Sequence, residues 1–137
     1  MTKLIMVFAS FILLTGCMVK DKHSIVGEWQ LIESSFPLSG LCRTATVHFT
    51  EDGMLLSKSG LLQEKKSYTI KPYKKGFLVE TQHISDNGMI NCQGMSASLA
   101  RKNPVKKIYL ESINEGRNLK MHFHPEKDKG YLVVERA

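Results

Sequence analysis

The sequence predicts an all-β fold: an antiparallel up-and-down meander of eight or nine short strands that closes into a barrel. A two-sheet β-sandwich is the competing arrangement. Three observations carry this expectation. Apolar and polar residues alternate with a period of two in successive runs from residue 25 almost to the C-terminus. Short turns rich in Gly, Asn, Asp and Pro separate the runs. No segment has the periodicity of a long amphipathic helix. Strands joined by tight turns pair with their sequence neighbours, and a meander of this count removes its two free edges by closing on itself.

The elements follow in order. Residues 25–34 (IVGEWQLIES) form the first run and lead into a loop around Pro37 and Gly40. In 44–50 (TATVHFT), Ala45, Val47 and Phe49 share one face and Thr46, His48 and Thr50 the other. Glu51-Asp52-Gly53 then turns the chain into 54–59. Residues 66–71 (KSYTIK) pass through Pro72 to a Lys74-Lys75-Gly76 turn, and 77–84 (FLVETQHI) return. Ser85-Asp86-Asn87-Gly88 marks another turn, into a short strand over 89–94. Residues 95–102 (MSASLARK) are the one weakly helical stretch, closed by Pro104. Strands over 106–113, 117–124 and 131–136 complete the set, joined by Asn114-Glu115-Gly116 and by 125–130. Leu119, Met121 and Phe123 oppose Lys120, His122 and His124, while Leu132, Val134 and Arg136 oppose Tyr131, Val133 and Glu135. The apolar faces are expected to line the barrel.

The chain opens with MTKLIMVFASFILLTGC. Lys3 followed by an uncharged apolar run of h-region length reads as a secretory signal, being too short for a transmembrane span of about 18 or more apolar residues. Leu14-Thr15-Gly16-Cys17 resembles the bacterial lipobox. The resemblance implies cleavage before Cys17 and attachment of diacylglycerol to its sulfur, with a further acyl chain; two or three chains hold a protein firmly to a bilayer. The implied organisation is a signal peptide over 1–16, a lipidated tether over 17–24 and a barrel domain over 25–137. Met18, rather than Asp, after Cys17 resembles the pattern that sorts enterobacterial lipoproteins to the outer membrane. The expected location is therefore the bacterial cell envelope, most simply the outer membrane.

Removing residues 1–16 leaves 121 residues, enough for one domain. The formal charge is +6 for the whole chain. Six lysines fall in residues 58–75 and four basic residues in 101–107. In an exported protein nucleic acid is not an expected partner; solubility and protection of strand edges account for most of this charge, and anionic envelope components are reasonable partners. With Cys17 assigned to lipid, Cys42 and Cys92 remain. An even count in an oxidising compartment reads as one disulfide.

Gly27-Glu28-Trp29, on the first strand, has the form Gly-x-Trp. Followed by a meander, it resembles the lipocalin and wider calycin superfamily, and Val47-x-Phe49-x-x-Asp52-Gly53 with Tyr68-x-Ile70 resembles small bacterial lipocalin-like lipoproteins. That resemblance implies a lipocalin-like barrel in which the tryptophan seals one end beneath a basic residue of the closing strand. Arg136 is the expected cover for Trp29, through a cation–π contact. Phe49, Tyr68, Phe77, Met121 and Phe123 are the candidate ligand-lining residues, though an eight-stranded barrel of this size either holds one small ligand or fills its interior with side chains.

No catalytic constellation is visible: there is no Gly-x-Ser-x-Gly elbow and no close carboxylate pair in an apolar surround. No cofactor is expected. His122 and His124 could chelate a metal with His48 or His83, but a solvated surface pair is the simpler reading, and no metal site is predicted. The sequence therefore points to a lipid-anchored, non-catalytic envelope protein that binds a hydrophobic or amphipathic small molecule or an envelope component. An inhibitor or immunity-type lipoprotein acting on a periplasmic or extracellular enzyme is the second reading, since small bacterial metalloprotease inhibitors are similar in their short exported barrel, early Gly-x-Trp and single disulfide. An accessory lipoprotein of an envelope assembly is the third, with residues 101–107 or a strand edge as its protein contact.

Overall fold

The computed structural model describes residues 24–102, 107–123 and 130–137. The expected signal peptide, Cys17, the expected tether up to residue 23, Pro104 and His124 lie outside the described residues. Eight strands are present: β1 (Gly27–Ser34), β2 (Thr46–Phe49), β3 (Met54–Ser59), β4 (Leu62–Tyr73), β5 (Gly76–Asp86), β6 (Lys107–Ile113), β7 (Asn118–His122) and β8 (Tyr131–Arg136). Each pairs antiparallel with the next, and β8 pairs with β1, so the sheet is a closed barrel and not a sandwich. Among the described residues one short α-helix, α1 (Ala97–Lys102), is inserted between β5 and β6 where the weak helical signal lay.

Three elements differ from expectation. β4 and β5 are 12 and 11 residues long; β4 gains the buried Leu62 and the polar residues 63–65. Backbone bonds to β3 on one side and to β5 on the other hold them there, without help from an apolar alternation. Residues 89–94, expected as a strand, instead form a loop with one isolated bridge between Ile90 and Ser96. Its backbone is captured locally: Asn91 Oδ1 accepts from the amides of Gln93 and Met95 at 2.9 Å each.

Alternation places Trp29, Phe49, Leu55, Tyr68, Phe77, Val79, Ile108, Leu110, Leu119, Met121 and Val134 inside, where with Ile25 they form one buried cluster. Leu31, Val47, Ile70, Phe123 and Leu132 pack against it while half-buried. The strand directions define two ends. The turns 50–53, 74–75 and 114–117 lie at one end, together with residues 24–26 and the C-terminus. The connections 35–45 and 60–61 and residues 87–102 lie at the other.

Candidate functional site

The closed end is built around Trp29. Its indole is fully buried and donates from Nε1 to the Ile25 carbonyl at 2.8 Å, which satisfies the one polar atom on the ring. Trp29 lies opposite Arg136 in the β1–β8 register. The guanidinium carbon sits 4.3 Å from the ring centroid, and the guanidinium donates to the carbonyls of Val26 and Ser24 at 3.0 and 2.9 Å. Gly27 explains the first position of the Gly-x-Trp motif: it has a φ of +129°, and a Cβ there would lie 2.9 Å from Arg136 Nη1.

Of the candidate lining residues, Phe49, Tyr68, Phe77 and Met121 are buried and Phe123 half-buried, all within the same cluster. Phe49 meets Tyr68 edge-on, with ring centroids 5.3 Å apart. The Tyr68 hydroxyl donates to the Thr50 carbonyl at 2.7 Å. Burial, aided by the negative charge of Asp52, raises the pKa of this phenol.

Above the apolar cluster, toward the open end, the inward positions turn polar. Lys66 pairs with His83, Ser57 with Glu64 and Glu64 with Asp86 across the ladders. Asp86, only 5% exposed in its side chain, receives His83 Nε2 at 3.1 Å and Arg101 Nε of α1 at 3.3 Å. Glu64 lies 3.8 Å from Lys66 and 3.9 Å from His83. Sequence reasoning missed this group, although stepping back by twos from Tyr68 reaches Lys66 and Glu64, and stepping forward from Phe77 and Val79 reaches Thr81 and His83.

The open end is tied together by the Cys42–Cys92 disulfide, whose Cα atoms are 5.0 Å apart. It joins the 3-10 turn Gly40–Thr44 to the loop before α1. Ser59 links β3 to the same point, its Oγ accepting from the Cys92 amide at 3.2 Å. Around this knot Leu41, Leu61, Met89, Ile90, Met95 and Leu99 are exposed, Leu41 at 69% and Leu61 at 60%. A groove of about 240 Å³ beside the β1 bulge, lined in part by Ile32, Phe36, Leu38 and Arg43, adjoins this end.

The described histidines of the candidate set, His48, His83 and His122, do not converge. His83 points into the barrel, whereas His48 and His122 lie on its outer surface. His122 is half-buried and stacks on Tyr109 at 5.0 Å, in a row that continues to Tyr131 and to Tyr73; it is not the solvated residue the sequence suggested. Among the described residues no group of three or more His, Cys, Asp or Glu side chains is placed to hold a metal ion. Searches among protein families, curated proteins and solved structures return no match for this chain. The class defined by its geometry is thus architectural: an eight-stranded closed barrel, sealed by Trp29 and Arg136 at one end and knit by a disulfide at the other.

Proposed function

We propose that this chain is a lipid-anchored, non-catalytic binding protein of the bacterial envelope, and that it binds at its surface rather than by enclosing a ligand. The observation that carries the second half is the filling of the interior. Aromatic and aliphatic side chains pack the half nearest Trp29, and Glu64, Lys66, His83 and Asp86 occupy inward positions in the other, with Arg101 of α1 reaching Asp86 from outside. A hydrophobic guest would have to displace the first set or leave charges of the second without solvent or partner, which is costly in either case. The lipobox-like Leu14-Thr15-Gly16-Cys17 supports the anchor, and the paired cysteines agree with an oxidising compartment.

Two measurements test this. Cells fed labelled palmitate should incorporate it into the wild-type chain and not into Cys17→Ser, which should also leave the membrane fraction. Titrating the protein with long-chain fatty acids should leave Trp29 emission unchanged, because its ring is sealed by packing and by Arg136. Saturable quenching at stoichiometric fatty acid would replace surface binding by the carrier reading.

A further inference from the structure

The exposed apolar side chains are distributed unevenly between the two ends. Among the described residues, every large apolar side chain exposed in a connecting segment belongs to the open end: Leu41, Leu61, Met89, Ile90, Met95 and Leu99. The turns of the closed end present Glu51, Asp52, Lys74, Lys75, Glu115 and Arg117 instead. A soluble domain scatters single apolar residues over its surface, and a grouping of this kind marks an interaction face.

The face is also held in place before anything binds. The disulfide fixes Leu41 to the loop that carries Met89, Ile90 and Met95. Asn87 Nδ2 donates to the Leu61 carbonyl at 2.9 Å, and its Oδ1 accepts from the Gln63 and Met89 amides at 3.1 and 3.2 Å. Asp86 fastens α1, and with it Leu99, through Arg101. A pre-ordered apolar rim loses little freedom on association, so more of its contact energy appears as affinity.

Charge and tether narrow the occupant. Among the described residues the outward charges at this end are mainly cations, Arg43, Lys58, Lys65, Arg101 and Lys102, against one exposed acid, Glu33, whereas Glu64 and Asp86 face inward. A second copy would bring cations against cations. The chain enters the barrel at the opposite end, where Ser24 and Val26 are held by Arg136. From Cys17 to Ser24 there are seven residue steps, a reach of about 25 Å when extended. An anchor of that length keeps the closed end toward the bilayer and aims the apolar rim away from it.

We infer that the disulfide-knit open end is a docking face for a protein partner whose apolar contact surface is bordered by carboxylates. The inference rests on the binding-protein reading above and names the partner class for it.

The test uses the full-length chain in living cells. A photo-crosslinking amino acid is placed at Leu61 or Met89 of the open end, and at Lys75 or Glu115 of the closed end as controls. Discrete protein adducts from the open-end positions alone, with cross-linked peptides that carry nearby Asp or Glu, are the expected result. Reversing charge with Arg43→Glu and Lys102→Glu together should lower adduct yield about tenfold, as loss of complementary charge slows encounter and penalises docking. Lys75→Glu should leave the yield unchanged. Both variants must retain the disulfide and the β-sheet circular dichroism signal; where the double variant does not, raised salt on the wild-type chain provides the same electrostatic readout. Adducts to lipid, adducts of twice the chain mass, equal yields from both ends, or a yield indifferent to charge and salt would each overturn the inference. Palmitate incorporation in the same cultures reports the anchor separately. Its absence alongside open-end protein adducts would remove the anchor and uphold the docking face.

Discussion

Arg136 joins three parts of the closed end through one side chain: the Trp29 ring and the carbonyls of Val26 and Ser24. A cation–π contact contributes about 0.5–2 kcal/mol depending on its exposure, and the two hydrogen bonds are open to solvent. Arg136→Ala should therefore lower unfolding free energy by about 1–2 kcal/mol, read from the urea midpoint. Arg136→Lys should recover only part of this loss, because an ammonium cannot fork to two carbonyls while lying flat on an indole. Tyr68 sets an alkaline limit. Burial first, then Asp52, raises its pKa in the folded chain, so its ionisation costs more there than in the unfolded chain. Its contribution is fully present below the unfolded value of about 10 and is lost as pH rises through the higher folded value. Tyr109 is raised in the same direction, mainly by burial and then by Glu111. Stability should fall between about pH 9 and about pH 11, and Tyr68→Phe should make that fall shallower. Urea titrations at both pH values check this. Identical slopes for both proteins would remove Tyr68 from the account.

At the scale of elements, the meeting of β5 with β6 depends on a residue without a side chain. A Cβ at Gly76 would lie 1.8 Å from the Leu110 carbonyl oxygen, an atom of the backbone that cannot swing aside. Gly76→Ala should cost about 3 kcal/mol or more, at the upper end of overpacking penalties, and denaturant titration measures it. The sequence marked this glycine as part of a turn, which it is, but its closeness to β6 depends on a strand more than thirty positions away. The same contrast explains the strand ends. The bounds of β3 and β8 were legible to the residue, since Asp52-Gly53 and Gly130 mark the turns that precede them. The first part of β4 was not, because Gln63, Glu64 and Lys65 alternate nothing that hydropathy can read; ladders to β3 and β5 recruit them. Residues 89–94 erred the other way, their local pattern yielding to the pull of Cys92 and to the bonds made by Asn91.

Across the whole molecule, the disulfide closes a segment with a sequence separation of 50. Such a link stabilises by about 4 kcal/mol on the chain-entropy view. Replacing Cys42 and Cys92 by Ala should lower stability by up to about that amount. Hydrogen exchange should rise more in residues 87–102 than at the closed end, where Trp29 and Arg136 are unaffected. The sequence by itself determined the all-β class, the meander order and the cysteine pair, each carried by a short-range pattern or by composition; the cover of Trp29 by Arg136 came from the resemblance to lipocalin-like proteins. Only the folded chain decided that ion pairs occupy inward positions, that His83 turns in while His48 and His122 stay out, and that the exposed apolar residues gather at one end. The physical reason is that a period of two assigns each residue a face but no height along the barrel. Height follows from register, bulges and turn placement, which arise when all eight strands pair at once.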